Sequence, residues 1–386
     1  MHDRNGVDGG SDGDGRIAGG GKLDSGGKLV DGHSDSRRRS RSAGSEDGRR
    51  ECGRSGGADS PGSAHRRTPR KLILDLDTGI DDALAIAYAL ASPEVDLIAV
   101  TGTYGNVTVE RGLRNSLAVL DLLGADDVPV YAGIDHPLGS DSFEPSAGSR
   151  AIHGDDGLGG ASIPESSRRP ETQSAQDAIL NAAATYGRDL LVVPTGALTT
   201  VAHVCCRCPE VMSGVGSITF MGGALTVPGN VNPCVEANIS QDPQSADNLF
   251  HCAVPTTMVG LDVTHRTVLT RDATRAWRSL GTRAGRFFAD MVDYYIGAYE
   301  RSQPYLGGCG LHDPLAVAAA IDPTLISTIG LNLQVDLEGP FRGRTIADPE
   351  LLREETTSTR VAVGVDGGRF VSTFVGRVGR LLGERC

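Results

Sequence analysis

The sequence predicts an α/β protein with a mostly parallel open sheet and helices on both faces, and with extra helices and short strands toward the C-terminus. Two observations carry this. From Lys71 onward, short β-rich runs alternate with longer helical ones, the pattern of parallel strands joined by crossover helices. The first run, Leu72-Ile73-Leu74-Asp75-Leu76, is apolar enough to be buried on both faces and passes through a Gly turn into Ala83–Leu90, a helix stopped near Pro93. The alternation then continues: Val95 to Thr101 as strand, Val109 to Leu123 as helix, Val128 to Tyr131 as strand, Ala175 to Tyr186 as helix and Asp189 to Pro194 as strand. A helix follows from Leu198, a strand over Ser217 to Met221, a helix from Pro243 and a strand over Pro255 to Gly260. The stretch Thr270 to Arg301 reads as helical, with Phe287, Phe288, Met291, Tyr294 and Tyr295 as an apolar stripe. After Asp322 come short strands, Gly330 to Leu337 and Arg360 to Val365, expected as an add-on to the main domain, and a final helix. Sheets of this kind bind ligands in the loops after the carboxyl ends of their strands, so chemistry is sought there.

Composition divides the 386 residues in two: 17 of the 52 glycines fall in residues 1–69, a stretch with almost no apolar residue. Such a low-complexity Gly/Ser/Arg/Asp segment cannot bury enough surface to offset its ordering entropy, so 1–69 is expected as a disordered tail and 70–386 as the single folded domain. The basic cluster Arg37-Arg38-Arg39-Ser40-Arg41-Ser42 reads as a solvated part of that tail. The tail holds 13 Lys/Arg and 11 Asp/Glu of the chain's 37 and 49, leaving 24 against 38, a net of -14 for the remainder. An acidic body argues against nucleic acid as partner, because neutralising phosphates takes a basic face. No run of about 18 apolar residues occurs, so no membrane partner is expected, and Met1 to Val30 has no apolar core of a secretory signal. The eight cysteines lack paired CxxC spacing. They read as free thiols, with Cys205, Cys206 and Cys208 packing as small apolar residues, and suit a cytoplasmic location.

The run Asp75-Leu76-Asp77-Thr78-Gly79-Ile80-Asp81-Asp82 crowds four carboxylates into eight residues at a strand-to-helix turn. So much like charge at the end of a buried strand is costly unless a cation or hydrogen bonds compensate. Oxygen donors without cysteine favour a hard divalent ion, calcium or magnesium, over zinc. Helix capping would account for Asp81 and Asp82, but not for Asp75 and Asp77 on the strand side.

That run resembles the amino-terminal signature of the inosine-uridine-preferring nucleoside hydrolases, strand-Asp-x-Asp-Pro-Gly-x-Asp-Asp-Ala, with Thr78 where Pro is commoner. Five further segments resemble the family in order: Thr103-Tyr104-Gly105-Asn106-Val107, Ile152-His153-Gly154-Asp155-Asp156-Gly157-Leu158-Gly159, Pro194-Thr195-Gly196-Ala197-Leu198-Thr199, Met221-Gly222-Gly223 with Gly229-Asn230-Val231-Asn232-Pro233 through Glu236-Ala237-Asn238, and Leu311-His312-Asp313-Pro314. In the third, Thr200 replaces the usual Asn.

The resemblance implies the nucleoside hydrolase, Rossmann-like fold and calcium-dependent hydrolysis of the N-glycosidic bond of ribonucleosides, giving ribose and free base. It implies Ca2+ held by Asp77, Asp82, Asp313 and the main-chain carbonyl of Thr195. By the same resemblance Asp77 is the base that activates water, and Asp81, Asn106 and Asn238 bind the ribose 2' and 3' hydroxyls. Asn230 and Glu236 hold the 5' hydroxyl, Met221 belongs to the same ribose-binding stretch, His153 lines the base pocket, and His312 protonates or contacts the leaving base. His312 looks more like the inosine-uridine and pyrimidine-preferring members than the purine-specific ones. The resemblance further implies a homo-oligomer, a dimer or tetramer. Asp155 and Asp156 read as loop residues, Asp242 as a helix cap, Asp262 as an orienter of neighbouring loops, and Tyr305 either closes over the base or packs.

Two competing functions have specific counter-signals. A haloacid-dehalogenase-type phosphohydrolase shares strand-Asp-x-Asp, but wants Thr or Val where Gly79 stands and leaves Asp81, Asp82 and Asp313 unexplained. A non-catalytic nucleoside- or sugar-binding relative would most simply lack a metal ligand, and Asp77, Asp82 and Asp313 are all present.

Overall fold

A computed structural model describes residues 68–252 and 254–384; residues 1–67, and with them nearly all of the expected tail, lie outside the described residues. The first strands and helices are β1 (Arg70–Leu76), α1 (Ile80–Leu90), β2 (Val95–Gly102), α2 (Val109–Leu122), β3 (Val130–Ala132), α3 (Ala147–His153), β4 (Glu171–Ser174) and α4 (Ala175–Tyr186). Next come β5 (Leu190–Pro194), α5 (Thr199–Arg207), α6 (Pro209–Met212), β6 (Ser217–Met221), α7 (Ala237–Gln241), α8 (Pro243–His251), β7 (Thr256–Val259), α9 (Leu261–Thr264) and β8 (Val268–Leu269). The last are α10 (Arg271–Ser279), α11 (Arg283–Ser302), β9 (Cys309–Gly310), α12 (His312–Ile321), β10 (Ile326–Leu331), β11 (Leu333–Val335), β12 (Thr345–Ala347), β13 (Thr359–Val365) and α13 (Gly367–Glu384).

Nine strands form the central sheet in the order β10-β13-β7-β6-β5-β1-β2-β3-β4. All neighbours are parallel except β10, which runs antiparallel to β13. Of the late strands, β10 and β13 are not an add-on: β13 pairs with β7 and extends the main sheet, because Val361 and Ala362 have apolar neighbours on both faces to bury against, whereas β11 and β12 form a separate two-stranded sheet. The helical stretch after Thr270 divides into α10 and α11 at Gly281, whose φ of 72° a residue with a side chain would resist.

Alternation along β1 divides the core. Leu72, Leu74 and Leu76 pack into one apolar layer with α1, α11, α12 and α13, whereas Ile73 faces the other layer under α4, α5 and α8. Strand order turns at β1, which carries β2 on one side and β5 on the other. The crevice that opens between the loops after β1 and β5 is where an open α/β sheet takes its ligand, and it receives Asp77 from one side and Thr195 from the other.

One cysteine expectation is overturned. Cys206 and Cys252 form a disulfide, with Cα atoms 5.7 Å apart across 46 residues. Sequence spacing hides the pair because α5 and α8 are brought side by side only by packing on the same sheet face. Cys205 is buried as expected, and Cys208, Cys234 and Cys309 are free.

Candidate active site

The acidic motif leaves β1 and enters α1, so Asp75 ends the strand, Asp77 lies in the turn, and Asp81 and Asp82 open the helix. All four are buried. Asp75 accepts a hydrogen bond from the Thr101 hydroxyl at 2.6 Å, and burial raises its pKa to about 7. Asp77 accepts from the Asn106 main-chain N–H at 2.5 Å and from its side-chain amide at 3.2 Å. Two glycines make room for it. A Cβ at Gly105 would collide with Asp77 Oδ2, and one at Gly196 would lie 2.9 Å from Asp77 Cβ and Cγ. This is the physical content of the Gly-Asn and Thr-Gly motifs: backbone must pass where a side chain would displace the carboxylate.

Asp82 does two jobs. Its Oδ2 accepts from the Gly79 N–H at 2.8 Å, capping α1, and from the Asn106 amide at 3.3 Å; its Oδ1 accepts from the Thr195 hydroxyl at 2.7 Å. Asp81 accepts from Tyr295 at 3.2 Å through Oδ2, while its Oδ1 is buried without a hydrogen-bond partner. Asp313, in the first turn of α12, likewise leaves Oδ2 buried and unpartnered.

Among the described residues, Asp81, Asp82 and Asp313 are the group whose ligand atoms all lie within 4.8 Å of one another. Asp77 stands beside this group, with both oxygens engaged by Asn106. Burial, followed by the charge of Asp82, holds Asp77 well above the ordinary carboxylate range, and burial followed by the charges of Asp81, Asp82 and Asp77 does the same to Asp313. Burial raises Asp81 and Asp82 to about 6. A concentration of negative charge this dry is the signature of a site built to share a cation. The donors are all oxygen, which fits a hard divalent ion. The residues fit such an ion: Asp81 Oδ1 and Asp313 Oδ2 are buried without partners, which is costly for a carboxylate oxygen unless a cation meets it.

Asn238 ties the crevice together, its amide donating to the Thr195 carbonyl at 2.6 Å and the Met221 carbonyl at 3.1 Å. Glu236 caps α7, accepting from the N–H groups of Asn238, Ile239 and Gly223 at 3.0, 3.1 and 2.9 Å. Burial raises its pKa and those bonds oppose the rise. Asn230 is exposed and accepts from the Ala237 N–H at 2.9 Å, which places it at the same helix end as Glu236.

His153 closes α3. Its Nδ1 accepts from the Ile80 N–H at 3.2 Å and lies 3.8 Å from Asp81 Oδ1. Burial depresses its pKa to about 4, so the ring is neutral at pH 7 and its contact with Asp81 is not an ion pair. His312 opens α12 with both nitrogens engaged, Nδ1 with the Thr264 hydroxyl at 2.8 Å and Nε2 with the Tyr299 hydroxyl at 2.6 Å. Burial and then the neighbouring His265 lower its pKa to about 3. A neutral imidazole between two hydroxyls holds no spare proton at pH 7, but it can pass one along.

Sequence reasoning placed Tyr295 in the core stripe and left Tyr299 and Thr264 aside, yet these hydroxyls contact Asp81 and His312. The available signal was the i, i+4 spacing of Tyr295 and Tyr299, which puts both phenols on one helix face. Asp156 holds its own loop by accepting from the N–H groups of Leu158 and Gly160, and Asp242 caps α8. Asp262 fixes the loop after β6 through Leu225 and Thr226. Tyr305 is 76% exposed and donates to Gln303.

Residues 72–372 match the inosine-uridine preferring nucleoside hydrolase family. Among solved structures, the purine-preferring ribonucleoside hydrolase from Gardnerella vaginalis is 55% identical with a TM-score of 0.80, covering 82% of this chain and 100% of its own. A plant nucleoside hydrolase is 33% identical with a TM-score of 0.75, covering 80% and 99%. The pyrimidine-specific ribonucleoside hydrolase of Escherichia coli is 34% identical over 308 residues, 80% of this chain and 97% of that protein. Six motifs in family order, a carboxylate crevice at the turn of the strand order and matches over this length have one source: the chain belongs to the inosine-uridine preferring nucleoside hydrolase family.

Proposed function

We propose that this nucleoside hydrolase is calcium-dependent and prefers purine ribonucleosides, cleaving the N-glycosidic bond by water to give ribose and free base. The observation that carries the metal is the pair of buried, unpartnered oxygens on Asp81 and Asp313 beside Asp82. Purine preference rests on the 55% identity to a purine-preferring relative, against 34% to a pyrimidine-specific one, and departs from the pyrimidine-leaning resemblance of His312. When bound, calcium supplies the positive charge that lets these carboxylates stay ionised and gives a fixed point for ribose hydroxyls and water.

The chain's own residues then divide the work. Asp82, Asp313, Asp77 and the Thr195 carbonyl would form the ligand set, as the resemblance implies, with the unpartnered Oδ1 of Asp81 beside it; Asp81, Asn106 and Asn238 would take the ribose 2' and 3' hydroxyls. Glu236 and Asn230 at the start of α7 hold the 5' hydroxyl, with Met221 below. Groups paired to each hydroxyl, Asp81, Asn238 and Glu236 among them buried, would also reject a sugar that lacks one, since a donor or acceptor would be left unmatched. Asp77, raised by burial and held in place by Asn106, accepts the proton of the attacking water. As the bond to C1' breaks, the base leaves with a proton that the Tyr299–His312–Thr264 hydroxyl and imidazole line can deliver, and His153 lines the pocket around that base. We further propose a homo-oligomer, dimer or tetramer, as the resemblance implies, and a cytoplasmic location, which rests on the remaining free thiols Cys205, Cys208, Cys234 and Cys309 and is weakened by the Cys206–Cys252 disulfide.

A ribose-release panel over inosine, guanosine, adenosine, uridine and cytidine, with calcium and with a chelator, tests this. Expected are release from all ribonucleosides tried, faster for the purines, and loss of release with chelator. Nucleoside binding without ribose release would sink the hydrolytic reading, and pyrimidines turning over faster would sink the preference.

A further inference from the structure

A cavity of about 650 Å³ lies between α2 and the segment 156–170, and none of the crevice carboxylates lines it. Its floor is apolar, with Leu113, Leu117 and Leu158 buried and Ile163 packed against the same core. Its rim carries four guanidinium groups, Arg111, Arg114, Arg168 and Arg169, in a folded region that is otherwise acidic. Two of the four are engaged: Arg168 bonds Asp121 at 3.1 Å and also the Val128 carbonyl, and Arg114 pairs with Glu110 at 2.5 Å. Arg111 and Arg169 have no acidic partner among the described residues. The acids that also face the cavity are Glu110, Asp156 and Glu165, and Asp156 is occupied by the N–H groups of its own loop.

The volume is that of a small-molecule site. A flat apolar ring suits the floor and a phosphate suits the two unpaired forks at the rim. A phosphorylated nucleoside would be repelled from the catalytic crevice, whose buried groups are carboxylates. The cavity also touches the catalytic motif from behind: the Asn115 amide, in its wall, donates to the Thr78 carbonyl at 3.0 Å and to the Asp156 carbonyl at 2.9 Å. A Cβ on Gly157 would lie 2.9 Å from that amide and 3.2 Å from the Thr78 carbonyl, so the loop that follows His153 lies close against the turn between Asp77 and Gly79.

We propose that this pocket binds a nucleoside monophosphate and that its occupancy alters ribonucleoside binding through Asn115 and the loop 154–160. The choice of ligand rests on the nucleoside hydrolase reading; the pocket does not. Titration calorimetry of the full chain with GMP, and separately with inorganic phosphate, tests it. Saturable GMP binding is expected, unaffected by Asp77→Asn and weakened about tenfold or more by Arg111→Glu with Arg169→Glu, with inorganic phosphate binding more weakly than GMP. GMP should shift KM for the ribonucleoside in the wild type and leave it unmoved in the double variant. Both altered residues are exposed, and unchanged ribose release by the double variant without GMP establishes that it is folded. No saturable GMP binding, equal binding by the double variant, binding lost in Asp77→Asn, or a KM that GMP does not move would overturn the proposal. Absence of ribose release with GMP binding intact would instead indict the hydrolase reading alone.

Discussion

Withdrawing calcium should cost stability in a strongly pH-dependent way. Asp81 and Asp82 are buried with pKa values raised to about 6 from 3.8, burial being the main cause. A raised carboxyl pKa means the fold prefers the protonated acid, so the metal-free protein keeps this contribution below about pH 4 and loses it as pH rises through about 6. At about 1.4 kcal/mol per tenfold change, a rise from 3.8 to about 6 amounts to about 3 kcal/mol. Because the charge of Asp81 is part of what raises Asp82, the two rises are not added, and we assign about that much to the pair by neutral pH. Asp75, raised to about 7, extends the loss upward. A cation that binds only the folded, ionised form recovers about 2.7 kcal/mol at a hundredfold excess over Kd. For a folded domain of about 315 residues, at about 2.1 cal/mol/K per residue, that is roughly 4 °C in Tm. Differential scanning calorimetry with calcium and with chelator should show such a gap near pH 7.5, narrowing to little near pH 4.5, where protons compete for the same oxygens. A gap of equal size at both pH values, or none near pH 7.5, would refute the assignment of these carboxylates to a cation.

Asp77→Asn should fold normally and lower kcat by about 10²–10⁴, the usual worth of a general base; near-wild-type turnover would remove Asp77 from that role. His312→Ala should slow inosine far more than a ribonucleoside with an activated leaving group, since only the former needs a proton delivered. Equal losses on both substrates would mean that His312 serves binding or structure. Glu236→Ala strips three main-chain N–H groups of their buried acceptor and should lower stability by roughly 1–3 kcal/mol, read as a denaturation midpoint; an unchanged midpoint would contradict the capping role. A chain beginning at Arg70 should keep its kcat and KM, and loss of activity there would show that residues 1–69 contribute to catalysis.

Much of the fold follows from local signals. Apolar strand runs, Gly turns and helical periods are short-range, so β1, β2, β5, β6 and α4 fall within a few residues of where the sequence puts them. The small elements α3, β4 and α7 escape that reasoning because each is too short to show a period. Sequence placed the late strands outside the main sheet, and only pairing in space returned β13 to the side of β7. The cysteine pair was equally hidden, since Cys206 and Cys252 meet through two helices stacked on one sheet face.

At the crevice the division is similar. The sequence by itself determined that carboxylates gather where β1 ends, and six ordered motifs determined the family, because residue type at a strand-to-helix turn is written in order along the chain. The tertiary structure decided which carboxylate oxygens are left without partners, that His153 and His312 are neutral at pH 7, and that Tyr295 and Tyr299 reach the site from α11. Those outcomes depend on burial and on contacts between residues as much as 214 positions apart, and neither quantity exists until the chain has folded.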